Sequence, residues 1–324
     1  MRLLFIRFSA IGDIVLASPA LRCAKQQIPG VEIHFLTKKS MKAVSEANPY
    51  VDQFHYFDKD LADTIQELKS YNFDYIIDLH KNLRSLRIRL ALGVPYLSYN
   101  KLSVEKFLLT KFHLNKMADR HISLRSVDTL ASLGVVYDGK GLDYFVPSEI
   151  KEPTFFTEGY VALVIGASYA TKKLPLESLK VLCAQIPHPI VLVGGKEEKE
   201  DVDQLASQDP SRIVNTCGTY SLHESALMVA KARVVISHDT GMLYVACAFE
   251  KNVIAIWGAT SPALQVEPLM PSDSNAKVFQ SIVPELSCQP CSNFGTKTCP
   301  KGHFACMKKQ DLPEIVRQVD KMWN

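Results

Sequence analysis

Short apolar runs alternate with amphipathic stretches along most of the chain. Residues 2–8 read as a buried strand, 14–27 as a helix closed by Pro29 and Gly30, 31–36 as a strand and 39–47 as a helix stopped by Asn48 and Pro49. The alternation continues with strands at 53–57, 75–79 and 94–99 and helices at 61–71 and 85–92. Residues 101–134 read as mostly helical and basic, through Lys101, Lys106, Lys111, Lys116, Arg120 and Arg125, a set expected to be largely a solvated face. Residues 138–158 lack a pattern and carry Gly139, Gly141, Pro147 and Pro153, which suggests a linker. A second alternation follows, with strands at 160–165, 189–193 and 212–214 and helices at 175–185, 197–206 and 221–230. Ser221 with Glu224 three residues on is a capping-box pattern.

The clearest unit is 233–262. An apolar run, Val234 to Ile236, leads through Ser237-His238-Asp239-Thr240-Gly241 into a helix-like segment at 242–249 and a second apolar run at 253–257. That is strand, tight polar turn, helix, strand, one βαβ unit of a parallel sheet. Two alternating halves predict an α/β protein of two Rossmann-like domains facing across a central cleft. The expected boundaries are 1–150 for the first domain, 151–310 for the second, and 311–324 for a closing helix that packs back on the first.

Composition agrees with a soluble globular chain: of 324 residues, 47% are hydrophobic and 22% charged. A net charge of +3 is too mild to argue for nucleic acid and permits an anionic substrate or membrane surface. No apolar run is long enough to span a bilayer. The first residues read as strand plus helix rather than a leader, because Arg7 and Asp13 interrupt the apolar core. Eight cysteines without a leader suggest a reducing compartment, so a cytoplasmic location is expected.

Chemistry concentrates where strands hand over to helices. Gly12 and Asp13 follow the first strand, and the absence of G-x-G-x-x-G there argues against a dinucleotide site. A carboxylate at that place either complements the helix dipole or takes a proton from a substrate hydroxyl. In the second half, Gly166 to Pro175 carries Ser168, Thr171, Lys172 and Lys173 before a helix begun by proline, either a diphosphate clamp or a solvated lysine pair. Glu198, after Gly194-Gly195, is placed to bond a ribose or simply to open a helix with negative charge. Asp239, Thr240 and Gly241 serve a sugar nucleotide or cap a helix. Cys288, Cys291, Cys299 and Cys306, with His303, leave three readings open: a structural zinc site, free thiols or a redox-dependent staple.

Taken together, RFSAIGDIVLASPAL, IDLHKNLRS, GASYATKKLP and ISHDTGMLYVACAFEKNVIAIWGATSP resemble, in order and over nearly the whole chain, the lipopolysaccharide heptosyltransferases of the ninth glycosyltransferase family. The resemblance implies a GT-B fold and an inverting, metal-independent transfer with no cofactor. It implies ADP-L-glycero-β-D-manno-heptose as donor, and as acceptor the lipopolysaccharide inner core at the cytoplasmic face of the inner membrane, with peripheral membrane contact. By position it makes Asp13 the general base and Lys172 the donor-phosphate contact. Asp239, Thr240, Gly241 and Met242 become the donor turn, while Gly12, Asn82 and Arg84 line the acceptor side. Two positions depart from the family pattern: Leu174 stands where tryptophan is usual, and Tyr244, beside the donor, where histidine is usual. Rival classes are a glycosyltransferase with another nucleotide sugar, an NAD-linked oxidoreductase and a non-catalytic sugar-nucleotide binder.

Overall fold

A computed structural model describes residues 1–323, apart from the side chain of Asp201. Asn324, the last residue of the expected closing segment, lies outside the described residues. The chain divides into two compact units, one of Met1–Lys101 with Arg120–Phe145, the other of Leu102–Asp119 with Val146–Asn324.

The first unit is built on β1 (Arg2–Ile6), α1 (Ile11–Gln27), β2 (Glu32–Lys38), α2 (Lys42–Ser45), β3 (Gln53–Phe57), α3 (Ala62–Leu68), β4 (Tyr75–Asp78), α4 (Leu83–Leu92) and β5 (Tyr96–Ser98). Its five strands are parallel in the order β3-β2-β1-β4-β5. The central strand β1 is apolar on both faces, as a sheet covered on both sides requires, and Leu3 to Ile6 are fully buried. Next in the chain come α5 (Ser103–Phe112), which groups with the second unit, and α6 (Ile122–Asp128), which packs on α1.

The second unit contains β6 (Val161–Val164), α7 (Leu176–Gln185), β7 (Ile190–Val193), α8 (Lys199–Gln208), β8 (Ile213–Asn215), α9 (Leu222–Lys231), β9 (Val234–His238), α10 (Gly241–Ala248), β10 (Asn252–Ile256), β11 (Val278–Ser281), α11 (Ala305–Lys308) and α12 (Leu312–Trp323). Its parallel strand order is β11-β10-β9-β6-β7-β8. Counted from its own first strand, it repeats the winding of the first unit and adds one strand. Each sheet therefore reverses direction once, between β1 and β4 and between β6 and β9. Such switch points open a crevice at the carboxyl ends of the strands.

Four expectations are corrected. The helix expected at 39–47 is a 3-10 turn followed by the four-residue α2. Residues 102–119 belong with the second unit, not the first. The pattern-poor stretch after 138 is not linker at its start. Arg22, 2% exposed, pairs with Asp138 at 2.8 Å and with Asp143 and donates to the Gly141 carbonyl, so these residues supply the counter-charge that a buried guanidinium needs. Finally, α12 groups with the second unit, packing on its α7, β9 and β10. Its stripe of Ile315, Val319 and Met322 is apolar at helical spacing and completes that unit's core, and Trp323 stacks on His188 at 3.9 Å. Among the described residues no helix is long and apolar enough to cross a membrane.

Candidate functional site

In the first unit the chain leaves β1 through Arg7 and enters α1 at Ile11. Arg7 is 8% exposed, and its guanidinium donates to the Leu79 carbonyl and meets Asp13 Oδ1 at 2.6 Å. Asp13 is the third residue of α1, and its Oδ2 accepts the Ala10 N–H at 2.9 Å. The carboxylate thus ties off a free donor at the helix start while its side chain stays 34% exposed. Burial works to raise its pKa, but the Arg7 charge and hydrogen bond outweigh it and hold the group below its ordinary value of 3.8. Each oxygen keeps lone-pair capacity beyond these bonds.

The neighbouring β4 turn is pinned by Asp78, a fully buried carboxylate whose Oδ1 accepts the N–H groups of His80 and Lys81 at 3.1 and 2.6 Å. Burial, then the Arg7 and Lys101 charges, push His80 down to about 4, so its imidazole is neutral at pH 7. Asn82 caps α4: its Oδ1 accepts from the N–H groups of Arg84 and Ser85 at 2.9 and 3.0 Å, leaving its amide N–H₂ as the group free for a ligand. Arg84 is exposed and lines an open cleft of about 320 Å³ with Lys38, Ser40, Phe57, Asp58 and Lys59. Gly12 lies half-buried in the first turn of α1.

At the second unit's switch point the order of charges is inverted. Asp239, at the end of β9, is 6% exposed. Its Oδ2 accepts from Lys172 Nζ and from the Thr260 hydroxyl, each at 2.7 Å. The Tyr244 hydroxyl lies 3.0 Å from Asp239 Oδ1 and 2.9 Å from the Val266 carbonyl, so its one hydrogen is shared between two acceptors. Asp239 therefore anchors a lysine. The Lys172 ammonium, 14% exposed, retains donors beyond that pair. Thr240 stands at the N-cap position of α10 without a side-chain capping bond, and the half-buried Gly241 and Met242 open the helix with N–H groups that have no intrahelical partner.

The remaining expected donor residues divide. Ser168 is exposed in the loop after β6. Thr171 is turned inward: 3% exposed, its hydroxyl donates to the Thr296 carbonyl at 2.9 Å and accepts the Thr296 N–H at 2.7 Å, so that side chain does not reach a phosphate. Glu198, expected at a ribose, instead pairs with Lys173 and accepts the Gly195 N–H at 2.9 Å, closing its own turn.

Residues 61–303 match the model of glycosyltransferase family 9 (heptosyltransferase). The chain belongs to that family. It is 23% identical to lipopolysaccharide heptosyltransferase 1 of Campylobacter coli, covering 98% of this chain and 99% of the relative. Among solved structures, the family 9 glycosyl transferase of Veillonella parvula superposes with a TM-score of 0.74 at 18% identity, covering 99% of this chain and 97% of the other. The E. coli heptosyltransferase WaaC with ADP superposes at 0.70 and 18% identity, covering 99% and 100%. These structural likenesses establish the two-domain GT-B fold of a glycosyltransferase.

Several supports of the family 9 site were not legible as motifs. His238, 1% exposed, is pushed down to about 3 by burial and by Lys172 and Lys173, and its Nε2 accepts the Leu174 N–H at 2.9 Å. It thereby ties the lysine loop to the end of β9. Thr296 binds the other side of that loop, and Gly295, at φ +94°, passes so close that a Cβ would stand 2.9 Å from Lys172 Cγ. The cysteine-rich segment thus braces the Lys172 loop. Those cysteines are free thiols, with Cys288 Sγ 3.8 Å from His303 Nε2. Among the described residues no three His, Cys, Asp or Glu side chains are grouped to hold a metal ion.

Proposed function

We propose that this glycosyltransferase moves a heptose from ADP-L-glycero-β-D-manno-heptose to the inner core of lipopolysaccharide, with inversion and without a metal. The observation that carries the reading is the Lys172 ammonium held on Asp239 at the head of α10. A cation beside free helix N–H groups is suited to a diphosphate. The names of the Campylobacter relative and of the ADP-bound E. coli neighbour support heptose, lipopolysaccharide and an adenine nucleotide.

In this mechanism an acceptor hydroxyl oxygen attacks the anomeric carbon and its proton passes to Asp13. The bond from that carbon to the diphosphate breaks, and the electron pair leaves on the ADP oxygen. The negative charge growing there is met by Lys172, by Ser168 and by the N–H groups from Thr240 to Met242. Asp13 enters the step ionised, because Arg7 holds it so. It receives the proton late, when the attacking oxygen has become strongly acidic. The acceptor side falls to Gly12, Asn82 and the cationic cleft at Arg84. Since the acceptor is lipid-anchored, the enzyme works at the cytoplasmic face of the inner membrane.

A second reading, a different nucleotide sugar, is favoured by one feature: Tyr244 closes over Asp239 where the family pattern has histidine. Calorimetry with ADP-, GDP- and UDP-sugars, followed by transfer assays in EDTA, separates the two. ADP-heptose should bind tightest and be turned over in EDTA. Tighter binding of a GDP- or UDP-sugar overturns the donor, and activity restored only by Mg²⁺ or Mn²⁺ overturns the metal-free clamp.

A further inference from the structure

Among the described residues, the densest exposed apolar surface is α5 with the residues that follow it. Val104 is 68% exposed, Phe107 53%, Phe112 60% and Leu114 54%. Four large apolar side chains within one short stretch, each more than half in water, are not explained by the fold, which needs only Leu109 and Thr110 of this helix inside. Phe107 and Phe112 meet edge to face with centroids 5.8 Å apart, forming one aromatic knob rather than scattered residues. Lys111, His113 and Lys116 are exposed around it, whereas Glu105, the one acid between Ser103 and Ala118, is half-buried.

Apolar side chains ringed by lysines match one environment: the headgroup region of an anionic bilayer, with the rings among the acyl chains and the ammonium groups at lipid phosphates. We infer that Ser103–Phe112 and its extension to Lys116 form the surface by which this protein docks on an anionic membrane. The inference rests on the reading above, in which the acceptor carries a lipid anchor, and it assigns the contact to one helix. A second copy of the chain fits less well, because two lysine-ringed knobs would bring like charges together.

The test is flotation of the full chain with vesicles of phosphatidylethanolamine and phosphatidylglycerol, against vesicles of phosphatidylcholine alone. The protein should float with the anionic vesicles, and high salt should release it. Lys111→Glu with Lys116→Glu should weaken binding about tenfold or more. Phe107→Ser with Phe112→Ser should weaken it about a hundredfold. Circular dichroism and ADP binding should match the wild type in both variants, since every altered side chain is exposed. Equal binding to neutral vesicles, binding unchanged in the variants, or a concentration-dependent dimer abolished by the phenylalanine variant each overturns the inference. Transfer to a water-soluble core fragment keeps the two readings apart. A protein that floats but transfers no heptose retains its membrane surface and loses the proposed activity, while one that transfers but does not float does the reverse.

Discussion

The two units share a winding and a location for their charged groups, and they differ in which charge is buried. At the β1/β4 switch point a buried Arg7 carries Asp13, with side-chain exposures of 10% and 34%. At the β6/β9 switch point a buried Asp239 carries Lys172, at 8% and 14%. In each pair the inner group fixes the outer one in place, and in the first pair it also holds the outer carboxylate ionised. A glycosyl transfer needs one of each: an anion to take a proton from the attacking hydroxyl and a cation to receive the leaving diphosphate. Under the proposed function, one winding would supply either group by exchanging the sign of the buried partner, which illustrates why activity has to be argued from the site and not from the winding.

The comparison is broken most severely by removing either outer group. Asp13→Ala should lower turnover by about 10²–10⁴-fold, the usual contribution of a general base, and leave ADP affinity nearly unchanged. Near-normal kcat would remove Asp13 from the mechanism. Lys172→Ala should cost about 10²-fold in kcat/KM, and unlike the first variant it should also weaken ADP binding by calorimetry. If ADP affinity stays intact, the lysine does not touch phosphate.

Altering an inner group or its partner sharpens the comparison with smaller effects. Arg7→Gln removes the charge that holds Asp13 below 3.8, while the desolvation that raises its pKa persists. The base is active when ionised, so the acid limb of the pH–rate profile should move to higher pH, with the plateau near neutrality changed less. An acid limb that does not move would mean that Arg7 is structural only. Tyr244→Phe deletes one hydrogen bond to an Asp239 still held by Lys172 and Thr260. A loss of about 1 kcal/mol in stability, with the order of donor preference retained, is expected by thermal melting and competition assays. A reordered donor preference would make Tyr244 a determinant of the sugar nucleotide.

Much of the fold was legible because a buried parallel strand and an amphipathic helix each leave a local period in the sequence. The strands at 53–57 and 75–79, the capped helix after Ser221 and the βαβ unit at 233–262 are visible for that reason, and the structure forms Val234–His238, Gly241–Ala248 and Asn252–Ile256 there. The candidate site was legible as positions, since loops after strands at a switch point are where ligands go. Its wiring was not. Thr171 appears in the sequence as a free hydroxyl and is in fact bonded to Thr296. Asp239 appears as a lone turn residue and is tied to Lys172, Thr260 and Tyr244. The stretch after 138 appears as linker and is held by Arg22.

The sequence by itself determined the alternation of elements, the two windings and which side chains stand at the ends of β1 and β9, because these follow from the period and order of neighbouring residues. Only the tertiary structure decided which partner each charged group has, which unit takes α5 and α12, and which face of α5 is left in water. Those outcomes depend on residues far apart in the chain competing for burial, where an ion pair or an apolar stripe is placed by what packs beside it and not by what precedes it.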